Sequence, residues 1–185
     1  MGKKSMAIFL AALISVSAAG CSTGAAERQE PSSSASETTQ ADVAVKNIDE
    51  AKSIVAASFE QLQTQGCIET VTTPTDNFVL YFDPTQADNQ SASINLTDTA
   101  KSELIADVNY FAVGSAKMLI EDATTEFALI DGGFSLTAPE WLPMNFYVEN
   151  GLVVRADGGT ETDFWKAEID YRTDAAYTEI LLGLK

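Results

Sequence analysis

From position 47 onward the apolar residues fall into two periods. Ile48, Ala51, Val55, Phe59 and Leu62 recur three and four apart, the spacing of one helix face. Asn47 is a good N-cap, Glu50 completes a capping-box-like pattern, and Gly66 closes the helix. The period then drops to two. Strands are expected over 67–73, 77–82, 91–96, 125–131, 145–149, 152–156 and 163–172. Phe78, Leu80 and Phe82 share one face, as do Ile94 with Leu96 and Phe127 with Leu129. In the last strand Trp165, Ala167, Ile169 and Tyr171 oppose Lys166, Glu168 and Asp170, one wall buried and one wet. Asn150-Gly151 suits a type I′ hairpin turn, with both central residues at positive φ.

The stretch 99–122 fits either period. Ala100, Leu104, Val108, Phe111, Ser115 and Leu119 keep a helical spacing, yet 108–114 also reads as a strand running into a turn. A strand over 103–113 and a short helix over 115–122 are expected. A final helix over 174–184 would turn Tyr177, Ile180, Leu181 and Leu184 inward. The class these elements predict is α+β: a curved antiparallel sheet, half-barrel-like, with an N-terminal amphipathic helix and short additional helices.

The first 46 residues are of another kind. Lys3 and Lys4 precede an apolar run from Met6 to Val16, and Ser17-Ala18-Ala19-Gly20 follows with small residues. This is the pattern of a secretory signal over 1–20, too short and wrongly flanked for a permanent span. Cys21 behind Ala19-Gly20 resembles the lipobox of bacterial lipoproteins, with one departure: Ala18 stands where that motif usually has an aliphatic residue such as Leu. The resemblance implies a diacylglycerol on the Cys21 thiol and a membrane as the first partner. Two or three acyl chains anchor stably, at about 0.8 kcal/mol per buried methylene. Residues 21–46, rich in Ser, Thr, Ala, Gln and Glu, offer too little apolar surface to offset their ordering entropy and read as a linker. Its coil span is about 25–30 Å. Residues 47–185 are then a single domain.

Charge narrows the partners. The chain carries 11 basic and 27 acidic residues, a net charge of -16; loss of Lys3 and Lys4 with the signal leaves 9 basic residues and -18. Nucleic acid is disfavoured, because its binding depends on Lys and Arg neutralising phosphates. There is no histidine, which removes Ser-His-Asp and Cys-His catalysis and His-ligated zinc. With Cys21 acylated, Cys67 has no intramolecular partner and is expected as a small buried hydrophobe, the alternative being a free thiol open to intermolecular pairing. The acidic loop 157–163 lacks EF-hand spacing and reads as a solvated hairpin loop. Asn95-Leu96-Thr97 is a glycosylation pattern without standing in a bacterial lipoprotein, and Trp141 between two prolines is expected to cap one end of the core. No metal, cofactor or catalytic residue is expected.

Two segments carry a resemblance. Phe78-Val79-Leu80-Tyr81-Phe82-Asp83-Pro84 is a strand ending in a Tyr-x-Asp-Pro turn, and 146–155 is a hairpin whose second strand bears an outward Arg155. Together with signal, linker and leading helix, they resemble the LolA/LppX-type envelope lipoproteins, half-barrels closed by helices over an apolar cavity. A cystatin-like or NTF2-like cone is the alternative. The resemblance implies a lipid or lipid-linked ligand in a cavity bordered by Phe78, Leu80, Phe82, Phe127, Leu129, Phe146, Val148, Trp165 and Ile169; Ile94, Leu96 and Tyr171 are read as facing the same way. Three functions compete: a hydrophobic-ligand carrier, a non-enzymatic envelope interaction or assembly protein without a ligand, and a carboxylate-based enzyme, the least favoured.

Overall fold

The computed structural model describes residues 45–86, 91–105, 107–139 and 141–184. The signal, Cys21 and nearly all of the linker read above lie outside the described residues.

Helix α1 spans Ile48–Gln65. Asn47 Oδ1 accepts the Glu50 N–H at 2.9 Å, and Glu50 reaches back to the Lys46 N–H. Gly66, at φ 89°, gives its N–H to the Leu62 carbonyl and ends the helix. The buried stripe is Ala51, Ile54, Val55, Ser58 and Leu62. It is rotated from the expected one, so Ile48 is exposed and Phe59 half-buried.

Four strands follow: β1 Cys67–Thr72, β2 Asn77–Phe82, β3 Ser91–Asn95 and β4 Glu103–Ile105. Helix α2, Ala112–Glu121, leads to β5 Glu126–Ile130, β6 Gly133–Thr137, β7 Met144–Glu149, β8 Leu152–Gly159 and β9 Phe164–Asp170; α3 is Ala175–Gly183. The nine strands make one open, curved antiparallel sheet in the order β4-β3-β2-β1-β9-β8-β7-β6-β5. It is two meanders fused where the first strand meets the last, with Ile68 opposite Asp170 and Thr72 opposite Lys166. Asn150 at φ 55° and Gly151 at φ 77° form the β7–β8 turn as expected.

Each face of the sheet carries its own core. Leu80 and Phe82 of β2 meet α1 and α2 together with Phe134, Phe146, Val148 and Ile169. Val79 and Tyr81, on the opposite parity, join Ile68, Ala92, Ile94 and Leu181 under α3, with Tyr177, Ile180 and Leu184 packed against them. β2 is therefore buried on both sides, whereas Lys166, Glu168 and Asp170 of β9 are wet. Ile94 faces α3 rather than the larger core, and Leu96 lies past the end of β3, exposed.

The middle of the chain differs from its expectation. The strand over 103–113 shrinks to β4, followed by a 3-10 turn at Val108–Tyr110, and α2 begins three residues early. Gly114 is the physical reason. A Cβ there would strike the Val108 and Asn109 backbone, so the 3-10 turn and the helix start fold tightly on each other. Strand β6 was not foreseen, because Gly132-Gly133 reads as a turn and hides the short alternation after it.

Candidate functional site

The nine candidate cavity residues do not share an open space. Leu80, Phe82, Phe146, Val148 and Ile169 are buried in the core under α1 and α2. Phe78, Phe127 and Trp165 are partly buried at its margin. The rings of Phe127, Phe134 and Phe146 stack in sequence, with centroids 6.1 and 5.3 Å apart, and fill the region between sheet and helices. Trp165 lies against the backbone of Gly158, where a Cβ would come within 2.8 Å of the indole nitrogen. Leu129 pairs with Phe134 and so has the inward parity. It is nonetheless 51% exposed on an edge strand.

Of these nine, Phe127 borders a cleft of about 220 Å³ between the start of α1, the end of α2 and strands β5 and β6. Ile48, Leu119, Ile120, Phe127 and Leu136 give its walls apolar side chains, and Lys52, Glu121 and Asp122 add charge. The α2–β5 loop forms one side. Asp122 Oδ1 accepts from the Thr124 N–H and hydroxyl, and the Asp122 carbonyl accepts the Thr125 N–H at 3.1 Å. These bonds hold the Asp122 carboxyl below its ordinary range, the Thr124 N–H foremost. Thr125, fixed by this turn, lines the cleft, and its Oγ1 is buried without a hydrogen-bond partner. Leaving a buried hydroxyl unpaired costs about 1–3 kcal/mol. The volume falls below the roughly 300–1,000 Å³ of drug-sized ligands.

A second, shallower groove of about 450 Å³ lies on the outer face between β8, β9 and α3, and Ile169 reaches it from the candidate set. Its charges answer one another. Arg172 bonds Asp170 and Asp174, and Arg155 stands 4.0 Å from Glu149. On the same face Asp157 accepts from Asn145 and from the Tyr147 hydroxyl.

The larger core also holds polar groups that the sequence reading passed over. Glu69 is 2% exposed, and its Oε2 accepts the Ala112 N–H at the start of α2 at 2.8 Å. Burial pushes this carboxyl up to about 8, opposed by that hydrogen bond. Its signal was parity: with Cys67 and Val71 facing inward, residue 69 must face inward too. Burial, then Glu69 and Asp170, raise the Cys67 thiol well above its ordinary value, so it is no nucleophile. Burial also raises the Tyr171 phenol, against the Ser58 hydroxyl. Neither the cleft nor the groove reaches Glu69. Among the described residues there is no group of three or more Cys, Asp or Glu arranged to hold a metal, and no helix is long and apolar enough to cross a membrane.

No family model, curated protein or solved structure matches this chain.

Proposed function

We propose that this chain is an extracytoplasmic lipoprotein, held on a bacterial membrane through Cys21, whose domain binds one hydrophobic chain or small apolar ligand in the cleft beside Thr125. The observation that carries the reading is the cleft walled by Ile48, Leu119, Ile120, Phe127 and Leu136, with the buried, partnerless Thr125 Oγ1 beside it. An alkyl chain there would cover Phe127 and Leu136, and a hydroxyl or carbonyl at its end would give Thr125 Oγ1 its missing bond once that side chain turns toward the cleft. A ligand of the size carried by a wide half-barrel has no room, since aromatic rings occupy that space. The same dense packing favours the second reading, an envelope interaction protein without a ligand.

A diazirine-bearing octanol, photo-activated on the full-length protein in native membranes, separates the two. The expected labelling falls on residues 119–127. Ala123→Trp, which fills the cleft from its exposed rim, should abolish it, and Thr125→Val should weaken it several-fold without loss of stability. Labelling spread evenly along the chain, or indifferent to Ala123→Trp, overturns the ligand reading. Labelled palmitate incorporated into wild type but not into Cys21→Ala tests the anchor separately.

A further inference from the structure

Helix α2 brings no cap of its own. Phe111 stands at its N-cap without a side-chain hydrogen bond, and no acidic residue lies in its first turn. The group that serves the Ala112 N–H is the Glu69 carboxyl, 43 residues earlier in the chain and on β1. Among the described residues this is the one hydrogen bond between α2 and the sheet. Ala112, Val113, Ala116, Leu119 and Ile120 supply the rest of the attachment, all of it apolar. A turn stands at each end of the helix, and no strand pairing runs through it. The helix can therefore lift without breaking the sheet.

Glu69 has little around it to offset a charge. Leu80 and Ile169 flank it on the neighbouring strands. The titratable groups nearest it are Cys67 on its own strand and Tyr171 beyond β9, and burial favours the neutral form of both. The charged residues of the two helices, Asp49, Glu50, Lys52, Glu60, Lys117 and Glu121, lie at the surface. Tyr81 of β2 and the charged residues of β9 are on the other face of the sheet, and Asp107 caps its own turn. The Ala112 N–H favours the ionised acid, but burial outweighs it. One hydrogen bond is far less than a buried carboxylate needs.

We propose that Glu69 is a pH-operated latch: its neutral form holds the start of α2 on the sheet, and its ionisation favours release of the helix while the sheet stays folded. The neutral acid keeps a carbonyl oxygen for the Ala112 N–H. The ionised one is relieved only when water reaches it, which requires α2 to lift. In that open form Glu69 titrates near its ordinary value of about 4.3, whereas in the closed form burial pushes it up to about 8. Between those values each pH unit multiplies the open population about tenfold. Leu119 and Ile120, toward the other end of α2, wall the cleft, so release also dismantles that site. The latch itself needs no ligand. Its use rests on the reading proposed above, since outside the cytoplasm the pH is that of the surroundings.

The test is amide hydrogen exchange on the full-length protein at pH 5.5, 6.5 and 7.5, with each rate divided by that of the unstructured peptide. It compares residues 112–121 with the β7–β8 hairpin. α2 should exchange through a local opening, at least tenfold faster than the hairpin, and its protection should fall about tenfold per pH unit. Glu69→Gln keeps the oxygen and cannot ionise, so its α2 should hold one level of protection across the range. The wild type alone also decides the matter. Protection of α2 that stays constant from pH 5.5 to 7.5, or that equals the hairpin's at every pH, overturns the latch. A Glu69→Gln variant that follows the wild type overturns it too. No alcohol probe enters these readings, so failure of the ligand reading would leave them as they stand.

Discussion

Glu69 Oε2 and the Ala112 N–H, 2.8 Å apart, tie the first strand of the sheet to the first turn of α2. A folded-state value near 8 lies above the value of about 4.3 expected for an unfolded Glu. The neutral form is therefore the one that stabilises. Its contribution is complete below about pH 4.3 and is lost as pH rises through 8, by up to about 1.4 kcal/mol per unit within that window. Glu69→Gln keeps an oxygen for Ala112 and cannot ionise. Melting curves at pH 5, 7 and 9 should show wild type losing stability steadily while the variant stays level and melts higher at pH 9. Parallel curves for the two proteins would remove Glu69 from the account.

Tyr171 and Ser58 together serve one residue. Val148 opposes Val153 while Tyr147 opposes Arg155, so Val154 is an extra residue and β8 bulges. The Val153 N–H goes to Ser58 Oγ at 2.9 Å, and its carbonyl accepts the Tyr171 hydroxyl at 2.6 Å. Tyr171→Phe and Ser58→Ala should each cost about 1–3 kcal/mol in urea unfolding, the cost of an orphaned buried group. The double variant should cost less than the sum, since both act on one backbone site. Strict additivity would show that the two bonds do not cooperate.

Asp83 fastens α3. Burial alone would raise its carboxyl, but hydrogen bonds from Thr85, then Thr178 and Gln86, hold it below its ordinary value. Thr178 Oγ1 lies 2.8 Å from Asp83 and 2.7 Å from the Tyr81 hydroxyl, which also accepts the Asp174 N–H at the cap of α3. A depressed value stabilises above the unfolded pKa of about 3.9 and the effect is lost as pH falls through the folded one. Amide exchange in α3 should accelerate below about pH 4, ahead of exchange in β1 and β2. Asp83→Ala should show that fast exchange already at pH 7. If α3 and the sheet lose protection together at every pH, Asp83 does not act on α3 locally.

Alternation and capping made most of the elements legible before any coordinates. Asn47, Gly66 and Asn150-Gly151 act locally, and the structure uses each of them as expected. Side-chain parity also held at Leu129; what one strand cannot reveal is that β5 lies at the edge of the sheet, where Leu129 is left half exposed. Val153 and Ala156 both face the larger core, three apart, because the bulge breaks the period of two between them. The cleft was hidden for a related reason. Thr125 is polar, sits in a turn, and acquires meaning only when Ile48 arrives from the far end of the domain.

The pairing of β1 with β9 sets the order in which the molecule can be made. The chain emerges N-terminal end first, so α1 and the first meander arrive before Phe164–Asp170. Until then one side of β1 waits without a neighbour, and Glu69 and Cys67 lack the Ile169 and Tyr171 that seal them. The closing step brings together residues from opposite ends of the domain, the kind of contact that slows folding most. Maturation therefore has a vulnerable interval, and its length is the time needed to deliver the last strand.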